Sequence, residues 1–82
     1  MERFIDEVRL LTADTFGVDI DDLPEDANSA TYAQWGSLNH MVLMASIEER
    51  YGLRLSMDDM TRLSSLDSIV AFLKATSATT VR

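Results

Sequence analysis

Cysteine is absent from this chain of 82 residues. Its absence excludes disulfide bonds, thiolate metal ligands and a cysteine nucleophile. Histidine occurs once, at position 40, so the side chains of a zinc site are missing as well. A calcium loop starting at Asp19 would need an oxygen ligand and a glycine where the chain has Leu23 and Pro24. We therefore expect no metal site.

Basic residues are scarce: 7 Lys and Arg stand against 14 Asp and Glu, for a net charge of −7. Phosphate backbones repel such a surface, so we do not expect the chain to bind nucleic acid. A basic protein surface is a better candidate for a partner, because complementary charge steers encounter.

Long apolar runs are also lacking, and none approaches the ~18 residues of a membrane helix. The first seven residues carry acids where a signal peptide would be apolar. We expect a cytoplasmic monomer that does not contact membranes. Its length suits one domain, which we place at residues 1–75, followed by a flexible, patternless tail at 76–82.

Helical periodicity occurs in three stretches, at about 2–16, 37–51 and 65–75, and sustained strand alternation is absent. Gly17 and Gly52 follow the first two stretches as stop signals, and Ser65 suits an N-cap of the third. In the first stretch, one side of the helix carries Phe4, Ile5, Val8, Leu11 and Phe16, and Leu10 falls outside this apolar stripe. In the third stretch, helical spacing relates Leu66, Ile69, Val70 and Leu73. Ser56 and Asp59 resemble a capping box, which predicts a short extra helix with Met57, Met60 and Leu63 facing inward. The expected fold class is all-α, a small bundle of three main helices plus one short helix.

The second helix carries two apolar stripes. Leu43, Met44, Ile47 and Tyr51 have the spacing of a core contact. A second stripe contains Leu38, Val42 and Ala45 and continues to Glu49. If the helix packs against the core on one side only, this second stripe stays exposed. An exposed apolar stripe is typical of a partner surface.

A long loop joins the first and second helices, from Gly17 to Gly36. Loops of this length in small domains are usually functional or anchored. Its apolar residues offer anchors to the core: Val18, Ile20, Leu23, Tyr32 and Trp35. We expect Trp35 to pin the loop and so to deliver Ser37 to the start of the second helix.

Ser37 is the main candidate for chemistry. At a helix N-terminus its hydroxyl would be exposed, and an attached phosphodiester would lie in a favourable field. From position alone, an N-cap role is the stronger interpretation. Ser37 and His40 are three residues apart, but nothing indicates an oxyanion hole or a cleft for hydrolysis. For His40 we expect partial packing, with a place in a pocket wall as the second possibility.

The segment Trp35-Gly36-Ser37-Leu38-Asn39-His40-Met41 resembles the phosphopantetheine attachment motif of acyl and peptidyl carrier proteins. The following residues 47–53 are similar to the acidic end of that family's second helix. The resemblance extends over nearly the whole chain, because the order of helices and the long loop also agree.

The resemblance implies a non-catalytic carrier. A phosphopantetheinyl transferase would attach 4'-phosphopantetheine from coenzyme A to Ser37. The thiol of this arm would hold an acyl or aminoacyl group as a thioester. A loading enzyme and downstream synthase, condensing or tailoring enzymes would dock on the second helix, for which the candidate residues are Leu38, Val42, Ala45, Glu48 and Glu49.

Two positions depart from the common family pattern. Gly36 stands where the family usually has Asp, and Val42 where fatty-acid carriers are often acidic. With the Trp-x-Ser-Leu-x-His form, these positions resemble discrete carriers of polyketide or nonribosomal peptide pathways. Three alternatives remain: a helical interaction module without the arm, a carrier of fatty-acid synthesis, and a carrier for envelope aminoacylation.

Overall fold

In the computed structural model, the chain is described from residue 3 to residue 79, with side chains described from 5 to 76. The elements in chain order are α1 (Arg3–Phe16), a 3-10 turn (Ile20–Asp22), α2 (Ser37–Tyr51), α3 (Met57–Arg62) and α4 (Leu66–Thr79). No strand occurs within this range, so the predicted all-helical fold class is confirmed.

The helix boundaries follow local sequence signals. Gly17 and Gly52 end α1 and α2 with positive φ angles of 72° and 64°, a conformation that glycine adopts without a Cβ penalty. The capping box of Ser56 and Asp59 begins α3 as predicted. At the start of α4, the Ser65 hydroxyl accepts a hydrogen bond from the Ser68 amide. α4 continues four residues beyond the predicted end at Ala75; residues 80–82 lie outside the described residues, and the flexible tail remains a prediction.

The core forms where α1 packs against α2 and α4. The core stripe of α2 is confirmed, since Leu43, Met44 and Ile47 are fully buried. Tyr51 is half-buried against the same core. Of the predicted stripes of α1 and α4, Val8, Phe16, Leu66, Ile69 and Leu73 are buried, and Ala13 and the polar Thr12 are buried beside them. Ile5, Leu11 and Val70 of these stripes are half-buried. The side chain of Phe4, which belongs to the predicted stripe of α1, lies outside the described residues.

The prediction that Met57 faces inward is wrong. The Met57 side chain is 80% exposed, whereas Met60 packs against the core and Leu63 is buried. The reason is geometric: at about 100° per residue, Met57 and Leu63 point in directions about 120° apart. Leu55, immediately before the capping box, is buried instead.

The long loop is anchored as expected. Leu23, Ala27 and Trp35 are buried in the core, of which only Ala27 was not anticipated. Arg9 of α1 fixes the first half of the loop, because its guanidinium donates hydrogen bonds to the carbonyls of Ile20, Leu23 and Pro24 at 3.2–3.4 Å.

The second half of the loop pairs with the link between α3 and α4. The Ser29 amide donates to the Ser64 carbonyl at 2.9 Å, and the Leu66 amide donates to the Ala27 carbonyl at 3.1 Å. These backbone bonds bring the loop alongside α3 just before it turns into α2.

Candidate functional site

Ser37 is the first residue of α2 and its side chain is exposed. The N-cap is Gly36, which has extended backbone angles and makes no side-chain cap bond. The interpretation of Ser37 as an N-cap is therefore wrong. An N-cap lies just before the first helical residue, whereas Ser37 is itself the first residue of α2. The Ser37 hydroxyl therefore does not cap the helix.

The first turn of α2 contains no acidic residue. Its free backbone N–H groups and the helix dipole therefore favour a negative group at this end. A Cβ built on Gly36 would meet no atom within 4 Å, so the approach to Ser37 is open. A phosphodiester on the Ser37 oxygen fits both the charge and the space here.

Trp35, buried in the core, holds the residues next to Ser37 in place. Its ring packs edge-on against Phe16, with ring centroids 5.4 Å apart. Its indole N–H donates to Nδ1 of His40 at 3.0 Å. The expectation that Trp35 pins the loop to the core is confirmed.

His40 is half-buried and both of its ring nitrogens are engaged. Because an indole N–H can only donate, Nδ1 must accept, which assigns the proton to Nε2. Nε2 then donates to the Met60 carbonyl of α3 at 2.8 Å. In this arrangement His40 ties α2 to α3 and to the loop, and it has no free nitrogen with which to take a proton from Ser37.

A groove of about 450 Å³ opens beside Ser37. Trp35 and His40 form part of its wall, and the loop, α3 and the link after α3 each contribute a hydroxyl residue. We call these three residues, Ser29, Thr61 and Ser64, the hydroxyl groove. None of the three was anticipated, because they come together only through the pairing of the loop with the α3–α4 link.

The second stripe of α2 is exposed as predicted. Leu38 is 78% and Val42 is 43% exposed, and Ala45 and Glu49 are exposed as well. Glu48 differs, since it is half-buried and its carboxylate accepts a hydrogen bond from the Leu55 amide at 2.8 Å. Its carboxylate holds the connection between α2 and α3.

Two exposed methionines extend this surface. Met41 lies on the same side of α2 as Leu38 and Ala45, and Met57 of α3 lines a small pocket together with Met41. Helical periodicity could have placed Met41 on this exposed surface. The position of Met57 beside it depends on how α3 packs against α2. We call these five residues the apolar face: Leu38, Met41, Val42, Ala45 and Met57.

At the far end of α2, the Tyr51 hydroxyl donates to the Glu7 carboxylate of α1 at 3.0 Å. Burial raises the pKa of Tyr51 above its ordinary value of 10.0. The hydrogen bond to Glu7 and the charge of Glu7 raise this pKa further, and Arg50 opposes them.

Comparison with protein-family models identifies the family of the chain. A family model described as the phosphopantetheine attachment site matches residues 6–73 of the chain. The chain belongs to the phosphopantetheine-attachment family. It is a carrier domain, on which a covalent 4'-phosphopantetheine arm holds cargo as a thioester. Carrier domains of this family are generally non-catalytic and interact with a phosphopantetheinyl transferase and with synthase enzymes.

A search of curated proteins finds no match to this carrier domain. Among the described residues, no helix is both long and apolar enough to cross a membrane. The same residues contain no group of three or more His, Cys, Asp or Glu side chains placed to hold a metal ion.

Proposed function

We propose that Ser37 is the residue that carries the phosphopantetheine arm. The observation that carries this proposal is the position of its exposed hydroxyl at the first residue of α2, with the cap role taken by Gly36. The N–H groups of this turn stabilise the phosphodiester, and the open space at Gly36 admits the transferase. When bound, the arm supplies a thiol that forms the thioester with the cargo.

Apart from Ser37, the residues around the attachment point position the phosphopantetheine arm and do not react. Trp35 and His40 fix the start of α2 through the 3.0 Å hydrogen bond between their rings. Because His40 is also bonded to Met60, it cannot act as a base toward Ser37. This arrangement supports a non-catalytic role, in which the partner enzymes carry out each transfer of cargo.

We place the partner docking site on the apolar face and Glu49. The apolar face begins one residue after Ser37, so a partner that covers it has the arm within reach. An exposed apolar surface next to acidic residues suits a partner patch that is apolar at its centre and basic at its rim. Of the predicted docking residues, Glu48 is the least suited to direct contact, because its carboxylate is bonded to Leu55.

The pathway we favour is polyketide or nonribosomal peptide synthesis, with the chain as a cytoplasmic carrier. Val42 supports this choice, since it makes the middle of the docking site apolar, where fatty-acid carriers are often acidic. A carrier of fatty-acid synthesis or of envelope aminoacylation is the alternative, and it predicts productive transfer with partner enzymes of those pathways.

The attachment residue can be tested by intact mass. After incubation with coenzyme A and a broad-specificity phosphopantetheinyl transferase, we expect the chain to gain one phosphopantetheine group. Ser37→Ala should gain none. The matched control is Ser46→Ala, which removes another serine of α2 and should leave loading intact. Loading of Ser37→Ala would place the arm elsewhere, and an unloaded wild-type chain beside a loaded reference carrier would favour an interaction module without the arm.

A further inference from the structure

Most of the methionines of this chain lie on one side of the molecule. Of the five methionines, three line one pocket of about 150 Å³, namely Met41, Met57 and Met60. Met57 is 80% and Met41 is 54% exposed, whereas Met60 is half-buried against the core. Met44 is fully buried, and Met1 lies outside the described residues. Two accessible thioethers therefore share the wall of one pocket on the apolar face.

These thioethers are the groups of the protein most open to oxidation by a peroxide, because the chain has no cysteine. Hydrogen peroxide converts methionine to its sulfoxide. The sulfur attacks one peroxide oxygen, the O–O bond breaks, and the other oxygen leaves with both protons as water. The sulfur gains one oxygen atom and loses the two electrons that reduce the peroxide. Because the reaction needs access to the sulfur, Met41 and Met57 should react before Met60 and Met44.

A sulfoxide at these positions changes the apolar face and leaves the core intact. The thioether is apolar, whereas the sulfoxide is polar. In the free carrier, water solvates the new oxygen of Met41 or Met57, so the fold is not penalised. A partner that covers the apolar face must remove this water, and a polar group without a hydrogen bond in an apolar contact weakens binding.

We propose that Met41 and Met57 form a peroxide-sensitive modification site, whose oxidation to the sulfoxide separates the carrier from its partner enzymes. This inference rests on the proposed docking site, to which both residues belong. The two exposed sulfurs lie on the surface that a partner covers, while the sulfur of Met44 lies in the core. Oxidation therefore stops docking before it disturbs the fold, and methionine sulfoxide reductases reverse it.

The site can be tested by treating the unloaded carrier with hydrogen peroxide, since the thiol of the arm is then absent. After removal of the peroxide, the carrier receives coenzyme A and a broad-specificity phosphopantetheinyl transferase. Peptide mapping by mass should find one added oxygen on Met41 and on Met57 before Met44 and Met60. The melting temperature should change little. The initial loading rate should fall at least about five-fold, the factor that corresponds to ~1 kcal/mol, and methionine sulfoxide reductases A and B should restore it.

Variants separate the two exposed sulfurs from the rest of the protein. Met41→Leu/Met57→Leu keeps the face apolar at similar volume, and its loading rate should be the same with and without peroxide treatment. Met44→Leu is the matched control, because it removes a methionine of the same helix that is buried. It should show the same fractional loss on treatment as the wild type. Met57→Gln, which places a lasting polar group on the face, should load more slowly than Met57→Leu without any peroxide.

Two results would overturn the proposal directly. Oxidation of Met44 or Met60 as fast as that of Met41 and Met57 would show that exposure does not select the site. An equal fractional loss of loading in the wild type and in Met41→Leu/Met57→Leu would trace the inhibition to other residues.

A third contrary result is a treated wild type that loads at its untreated rate, and Val42→Asp then identifies what has failed. If Val42→Asp loads slowly, the docking site stands and the oxidation proposal alone is wrong. If Val42→Asp also loads at the rate of the wild type, the docking site is wrong and the oxidation proposal falls with it.

Discussion

Gly36 departs from the family pattern, which usually has Asp at this position, although the backbone does not require glycine there. Its φ of −85° and ψ of 178° are extended angles that any residue adopts. No atom lies within 4 Å of the Cβ that another residue would add. The fold therefore does not require glycine here, in contrast to Gly52, whose φ is positive.

Replacing Gly36 by Asp should stabilise the protein. An Asp at the N-cap can accept a hydrogen bond from the first-turn amides, and the loss of glycine reduces the entropy of the unfolded chain. The two effects together predict a gain of about 0.5–1 kcal/mol in the free energy of unfolding. Because the family motif usually has Asp here, we also expect faster loading by a broad-specificity transferase, with Ser37 still the loaded residue.

The matched control for this change is Gly52→Asp. The same substitution at a φ of 64° should destabilise the protein by about 1–2 kcal/mol, because a Cβ is strained in that region. Unfolding by urea measures both variants. A destabilised Gly36→Asp would contradict the open N-cap geometry, and an equal or slower loading rate would show that the Asp of the family motif does not assist loading of this carrier.

At the scale of elements, α2 has two faces with separate tasks, and sequence periodicity was sufficient to tell them apart. Leu43, Met44 and Ile47 are fully buried, whereas Leu38 and Val42 are exposed. A helix of 15 residues gives periodicity enough turns to define both stripes. α3 has only six residues, fewer than two turns. Its few apolar positions spread over a wide arc, and periodicity alone does not decide which edge of that arc faces the core.

The two faces predict opposite effects of substitution. Val42→Asp should change the free energy of unfolding by no more than about 0.5–1 kcal/mol, because Val42 is already 43% exposed. It should slow loading by the transferase, since a charge would enter an apolar contact. Leu43→Ala should cost about 2–5 kcal/mol of stability through the cavity that it leaves.

Leu10→Asp is the control for docking, because Leu10 is an exposed leucine of α1, 58% accessible and outside the apolar face. It should alter neither stability nor the loading rate. Melting temperature and initial loading rate are measured for all three variants. If Val42→Asp unfolds the protein, Val42 belongs to the core. If it leaves both quantities unchanged, the transferase docks on another surface.

For the molecule as a whole, the helices and Ser37 could be predicted from the sequence, but the groove beside Ser37 could not. Ser29 and Ser64 are 35 positions apart in the chain and meet through a single backbone bond. Neither residue belongs to a periodic pattern, and an isolated serine gives no sign of its neighbours in space. The motif thus located the attachment point, while its surroundings depended on how the loop closes over the bundle.

A second long-range contact makes the stability of the whole bundle depend on pH. The Tyr51 hydroxyl joins the end of α2 to Glu7 of α1. The folded protein holds the Tyr51 proton more tightly than the unfolded chain, because burial, and then the bond to and charge of Glu7, raise its pKa above 10.0. This contribution is complete below pH 10 and is lost as pH rises through the raised pKa.

The variant Tyr51→Phe removes only the Tyr51 hydroxyl and so isolates its contribution to the pH dependence of stability. We expect the difference in unfolding free energy between wild type and Tyr51→Phe to be constant from about pH 8 to 9 and to shrink above pH 10. Glu7→Gln, which keeps an acceptor but removes the charge, should make the alkaline loss smaller. Urea unfolding at a series of pH values measures all three proteins. Parallel curves for wild type and Tyr51→Phe up to pH 11.5 would mean that the phenol titrates alike in the folded and unfolded chains, and that the contact between α1 and α2 does not depend on its proton.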